Sequence, residues 1–271
     1  MNGLRLAHLT DLHFGEAEAD AQAAALLADD VRAAAPDAII NSGDLTRRAE
    51  PAEFGQAWAF MNALGAPVLA VPGNHDIPPR DLWMRFFDPR QRWRRHLPSD
   101  AVQELTLPGV SIIGLDTVRR AHWHLDWSAG GVSNQRLALL RGRLRNRAEA
   151  RCLLVCHHPL RHPTSLEWRR LPANTPTLMD LLREEGVEAV LSGHLHVTQV
   201  LRGAAGDPIQ VITPSGLSAR GSGRRGWSLI TLLDGRFTIH AREFRDGAWT
   251  AGAVTSLSET PQYRSEPPAP M

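Results

Sequence analysis

The sequence predicts a layered α/β fold, and three observations predict it. Strand-like and helix-like stretches alternate through the first two thirds of the chain. The last third changes to successive strand-like runs separated by turns. The 43% hydrophobic and 22% charged shares over 271 residues are those of an ordinary globular chain. Both textures fit one layered domain over residues 1–258, with central sheets and outer helices. Residues 259–271 hold four prolines and few large apolar groups, and are expected to form an extended or disordered tail.

The elements follow in order. Residues 4–10 read as a strand, 17–35 as a helix rich in Ala, Leu and charge, and 37–42 as a short buried strand around Ile39 and Ile40. A helix is expected over 52–64, a strand over 67–71 and a helix or helical lid over 80–95. Residues 101–107 and 110–116 pair around Pro108-Gly109. Leu137, Leu140 and Leu144 mark a helix over 134–147, followed by a strand over 151–156. A helix over 177–185 is closed by Gly186, and a strand spans 187–191. Strands are then expected over 197–202, 208–213, 226–233 and 236–244, the last two joined by the hairpin signal Asp234-Gly235.

The formal charge of +1 gives no overall field that would draw the chain to nucleic acid or membrane, and no stable nucleic-acid partner is expected. Cys152 and Cys156 lie on one apolar strand, about 13 Å apart and beyond disulfide reach, so both read as reduced core thiols. There is no signal-peptide pattern and no stretch long enough to span a membrane, so the cytoplasm is the expected location. The strand-rich C-terminal third offers an edge to a partner, which leaves room for a homodimer.

Five polar clusters follow five strand-like runs: Asp11-Leu12-His13, Gly43-Asp44, Gly73-Asn74-His75-Asp76, His157-His158-Pro159 and Gly193-His194-Leu195-His196. In parallel α/β sheets the carboxyl ends of strands share one edge, so clusters far apart in the chain can converge there. Carboxylate, amide and imidazole donors without a thiolate cluster suit Mn, Fe, Co or Zn. Asp11 and His13, and likewise His194 and His196, are expected to share one side of an extended segment by period-two spacing. Each cluster alone reads as a solvated turn; the joint pattern after successive strands points to a metal centre.

In the order D-x-H, G-D, G-N-H-D, H and G-H-x-H, these motifs resemble the calcineurin-like metallophosphoesterases, over about residues 4–240. The resemblance implies a four-layer αββα sandwich of two mixed β-sheets flanked by helices. It also implies two metal ions, from Fe, Mn or Zn. Asp11, His13 and His196 would bind the first ion, and Asn74, His157 and His194 the second, with Asp44 bridging. His157 is taken as the ligand of its pair because its place before a residue and then Pro matches the family pattern; His158 packs or touches substrate. Within the family the chain looks most like the bacterial cyclic-nucleotide phosphodiesterases.

Two metals can clamp a phosphoryl group and activate water. His75 is the candidate to stabilise or protonate the leaving oxygen, and Asp76 is expected to hold its imidazole in the right tautomer, or else to cap a turn. The expected substrate is a small phosphodiester such as a cyclic nucleotide. A nucleotide-lipid pyrophosphate or glycerophosphodiester is the alternative, with the Arg- and Trp-rich stretches 80–95, 119–127 and 161–170 near the site loops. A nuclease ranks lower on charge, and the complete ligand set argues against a non-catalytic binding scaffold.

Overall fold

A computed structural model describes residues 3–17, 19–98, 100–119, 128–219 and 224–257. The expected tail 259–271 and most of the stretch 119–127 lie outside these residues.

The first half begins β1 (Leu4–Leu9), α1 (Ala21–Ala33), β2 (Ala38–Asn41), α2 (Pro51–Ala63) and β3 (Val68–Ala70). Asp20 starts α1 by accepting from the Ala23 amide at 2.7 Å, satisfying one of the orphan donors of its first turn. Strands β1, β2 and β3 run parallel, as helix crossovers require. After the short helix α3 (Leu82–Phe87), the second unit comprises β4 (Val102–Leu107), β5 (Val110–Leu115), α4 (Asn134–Arg145), β6 (Arg151–Val155), α5 (Thr175–Glu184) and β7 (Ala189–Ser192).

The strands of the last third divide between the two sheets. Strands β8 (Gln199–Leu201) and β9 (Ile209–Ile212) extend the second sheet, in which β9 runs parallel to β7. Strands β10 (Arg225–Leu233), β11 (Arg236–Arg245) and β12 (Ala248–Leu257) return to the first sheet, where β10 pairs antiparallel to β1. The orders are β12-β11-β10-β1-β2-β3 and β4-β5-β6-β7-β9-β8.

Alternation along the strands builds the layers. Leu6, Ile40, Leu153, Val155, Leu191 and Ile230 fill the space between the sheets. Ala7, Leu9 and Ile39 face the opposite way, onto Leu27, Val31, Phe54 and Met61 of α1 and α2. Ile113, Leu154, Leu140, Leu144 and Leu181 form the third layer of contact, between the second sheet and α4 and α5. The result is the expected arrangement of two mixed sheets flanked by helices. Cys152 and Cys156 are buried free thiols on the helix-facing side of β6.

Two elements depart from the sequence reading. The helix expected over 80–95 is broken into α3 (Leu82–Phe87) and a 3-10 turn at Trp93–Arg95. Pro89 disfavours helical geometry at the residue before it, and Asp88 takes φ −147° and ψ 68°. Strand β12 was not expected; its signal is Asp246-Gly247, with φ of 51° and 81°, a second hairpin turn like Asp234-Gly235.

Candidate metal centre

All five polar clusters sit where β1, β2, β3, β6 and β7 end, on one rim shared by the two sheets. The chain turns sharply there. Asp11, His13, Asp44, His194 and His196 take φ of 50°, 49°, 53°, 67° and 53°. The extended pairing expected for Asp11 with His13 and for His194 with His196 is therefore wrong in its reason: left-handed turns aim these side chains. Such conformations cost about 1–3 kcal/mol each and persist where the surroundings over-determine them. Gly73 and Gly193 let the turns approach closely. A Cβ at Gly73 would overlap the Asp44 carboxylate, and one at Gly193 would overlap Thr10 and the Asp11 carboxylate.

Two donor groups form. In the first, Asp11 Oδ1 lies 3.1 Å from His196 Nε2 and 3.7 Å from His13 Nε2. The two Nε2 atoms are 3.3 Å apart. In the second, His157 Nε2 lies 3.1 Å from Asn74 Oδ1, and the His157 and His194 ring centroids are 5.1 Å apart. Asp44 Oδ2 stands between the groups, 3.4 Å from His157 Nε2 and 4.0 Å from His13 Nε2. All seven residues expected as ligands are thus brought together.

The donor set fits divalent ions, and His157 shows why. Its Nδ1–H donates to the carbonyl of Ser42 at 2.9 Å. That leaves the Nε2 lone pair facing two oxygens, which is favourable only with a proton or a cation between them. Asp11 Oδ1 is likewise buried without a well-directed hydrogen bond, although two imidazole nitrogens converge on it. The other Asp11 oxygen is held by the His194 amide at 2.9 Å and by the Thr10 hydroxyl at 2.7 Å.

Electrostatics agree. Burial opposes the charge on Asp11, but His196 and His157 outweigh it and hold the carboxyl below its usual range. Asp44 behaves alike, with His157 and His75 outweighing burial. Burial works against a charged His157, yet Asp44 raises it to about 9. The site holds positive charge between its carboxylates, and a cation can take the place of the proton.

His75 is part of the rim but belongs to a different geometry. Its amide donates to Asp44 Oδ1 at 2.8 Å, and its Nδ1 is 2.8 Å from the Arg47 carbonyl. Because a carbonyl only accepts, Nδ1 carries the proton and Nε2 remains for chemistry. Its ring meets that of His13 edge-on at 4.9 Å. The expected Asp76 contact to this imidazole is not made. Asp76 instead accepts from the amides of Leu45, Thr46 and Gly73 at 3.2, 2.9 and 2.9 Å and from the Thr46 hydroxyl at 2.9 Å. Asp76 is a loop tie and turn cap, because its buried carboxylate finds amides nearer than any ring.

His158 packs. Its Nδ1 is 2.8 Å from Thr117 Oγ1 and its Nε2 is 2.8 Å from the Ser128 carbonyl, so both ring nitrogens are engaged. The supporting residues His8, Ser42, Arg47 and Thr117 escaped the sequence reading. Two of them act through backbone carbonyls, which leave no mark on sequence. His8 left one: a histidine inside the apolar strand β1.

The chain is similar to several known proteins. The chain is 30% identical over 215 residues to a cAMP/cGMP dual specificity phosphodiesterase of Mycobacterium tuberculosis, covering 70% of this chain and 61% of that protein. It is 29% identical over 246 residues to a probable cyclic nucleotide phosphodiesterase of Rhodococcus erythropolis, covering 82% of this chain and 75% of the relative. The fold is similar to that of the purple acid phosphatase PPD1 from yellow lupin, with a TM-score of 0.68 and 13% identity over 96% of this chain and 54% of that one. Residues 4–198 match the family described as Calcineurin-like phosphoesterase, and the chain belongs to that family.

Proposed function

We propose that this chain is a two-metal phosphodiesterase acting on small phosphodiesters, with a 3′,5′-cyclic nucleotide as the substrate class. The carrying observation is Asp44 Oδ2, set between His157 Nε2 at 3.4 Å and His13 Nε2 at 4.0 Å, one oxygen facing both donor groups. Asp11, His13 and His196 would hold one ion, Asn74, His157 and His194 the other, and Asp44 both. Hard oxygen and imidazole donors without thiolate suit Mn, Fe or Zn. The relatives named as cyclic nucleotide phosphodiesterases support the substrate class. The buried free thiols suit a reducing compartment such as the cytoplasm.

Bound ions would supply Lewis acidity at phosphoryl oxygens and a more acidic water. The chain supplies the rest. Asp11 is kept ionised by its hydrogen bonds and by His196, so its oxygens are ready as ligands. The Ser42 carbonyl fixes the His157 tautomer that presents Nε2 as a donor. The Arg47 carbonyl likewise engages His75 through Nδ1–H, and Nε2, with a second proton taken up to form the imidazolium, would give that proton to the departing ester oxygen.

The test combines metal content with substrate choice. Wild type and Asp44→Asn are assayed for bound Mn and for turnover of cyclic AMP, bis-4-nitrophenyl phosphate and 4-nitrophenyl phosphate. The proposal expects diester turnover in the wild type and loss of both metal and turnover in Asp44→Asn. Unchanged metal and turnover in the variant, or turnover of the monoester alone, would overturn it.

A further inference from the structure

Helix α3 has its polarity reversed. Arg85 is buried at 5% exposure, with Nη1 reaching the Pro78 carbonyl at 3.4 Å, while Leu82, Trp83 and Phe87 are 54%, 74% and 66% exposed. A surface helix ordinarily hides its apolar side and solvates its charges. Trp83 and Phe87 stand together, their ring centroids 4.0 Å apart, so they form one outward aromatic patch. Clustered apolar exposure of this kind marks a surface that meets something other than water.

The surrounding charge indicates what it meets. Residues 80–95 contain six arginines and two aspartates, a balance of +4, whereas the whole chain sums to +1 and the remainder therefore to −3. Asp81 and Asp88 are taken up by Arg92 and Arg94. Arg80 and Arg95 are exposed and make no ion pair among the described residues. Aromatic side chains flanked by unpaired arginines suit an interface between acyl chains and anionic headgroups. A nucleic-acid backbone would attract the arginines equally but would leave Leu82 without a role.

We infer that α3 seats the protein on an anionic lipid surface, with Trp83, Phe87 and Leu82 entering the headgroup boundary and Arg80 and Arg95 facing the lipid phosphates. Five residues separate α3 from the turn Asn74–Asp76, which carries Asn74 and His75 of the candidate metal centre. No helix among the described residues is long and apolar enough to cross a membrane.

The test is co-sedimentation of the full chain with phosphatidylcholine vesicles, with and without phosphatidylglycerol. Binding is expected only when the anionic lipid is present. Arg80→Glu with Arg95→Glu should weaken it by about tenfold or more, and Trp83→Ser with Phe87→Ser should abolish it. Both variants change exposed side chains, and should keep the wild-type melting temperature and turnover of a soluble diester. Absence of binding to anionic vesicles overturns the inference, as does equal binding by either variant. A dimer in light scattering that the Trp83→Ser, Phe87→Ser variant dissolves, without vesicle binding, also overturns it and assigns the patch to a second copy.

Discussion

His8 Nδ1 lies 2.9 Å from Thr213 Oγ1, and this contact joins the two sheets beneath the candidate metal centre, from β1 in one to the loop after β9 in the other. On its far side His8 Nε2 meets Ser42 Oγ at 2.9 Å, and the carbonyl of the same Ser42 holds His157. Thr213 continues to Ser228 Oγ at 2.8 Å. Every member is buried. A fully satisfied buried network of this kind fixes one arrangement of its partners.

The first prediction concerns pH. Burial pushes His8 down to about 3, against the raising effect of Asp11, so the ring stays neutral in the fold. In the unfolded chain it titrates near its ordinary 6.5. Below that value the unfolded state takes up a proton that the folded state refuses. The stabilisation is therefore complete above about pH 6.5 and is lost as pH falls toward 3, on the order of a few kcal/mol. Urea unfolding at a series of pH values checks this. His8→Gln, which can still bond to Ser42 and Thr213, should flatten the slope over that window; an identical slope would remove His8 from the account.

The second prediction separates catalysis from metal binding. His75 stands outside the two proposed ligand sets and is held through its Nδ1–H by the Arg47 carbonyl, so His75→Ala should keep the wild-type metal content. Turnover should fall by about 10²–10⁴-fold, as for a lost general acid. The loss should be smaller for an ester with a nitrophenolate leaving group than for one with an alkoxide, which needs the proton more. Equal losses for both esters would rule out proton donation.

Much of this site was legible because ligand chemistry uses side chains, and Asp11, His13, Asp44, Asn74, His157, His194 and His196 stand in motifs that follow strands. The layers were legible because apolar residues alternate along β1, β2 and β6. What stayed hidden depends on the backbone. The left-handed residues Asp11 and His194 are not themselves glycines, so nothing at those positions announces a positive φ. The carbonyls of Ser42 and Arg47 carry no side-chain signature, and Asp76 looked like a partner of His75 only because it is adjacent in sequence. Strand β12 was missed since most of its residues are exposed, which leaves no apolar alternation to read.

The third prediction follows from the four donors that Asp76 accepts. Asparagine keeps one acceptor oxygen but turns an amide group toward backbone N–H donors. Asp76→Asn should cost about 1–3 kcal/mol in thermal or urea unfolding. It should also lower retained Mn, because Gly73 and Thr46 lose their tie and the turn carrying Asn74 is released. That pairing distinguishes it from His75→Ala, which spares metal. A variant with wild-type stability would show that the carboxylate is not what holds the turn.

The fourth prediction turns on two glycines of the metal rim. A methyl at Gly73 meets the Asp44 carboxylate and amide, and a methyl at Gly193 meets Thr10 and the Asp11 carboxylate. Neither neighbour is a flexible chain end; both are held by hydrogen bonds. Gly73→Ala meets Asp44 Oδ1 and should therefore displace the carboxylate whose other oxygen, Oδ2, faces both donor groups, reducing bound metal at both, whereas Gly193→Ala should weaken the Asp11 group first. Metal stoichiometry by elemental analysis, titrated against a chelator, reads the difference, with a loss in affinity of about 10–100-fold expected for displaced support of a ligand. Gly55→Ala serves as the control, because a Cβ there meets nothing within 4 Å. If Gly73→Ala binds both ions as tightly as that control, Asp44 is not the residue that joins the two groups.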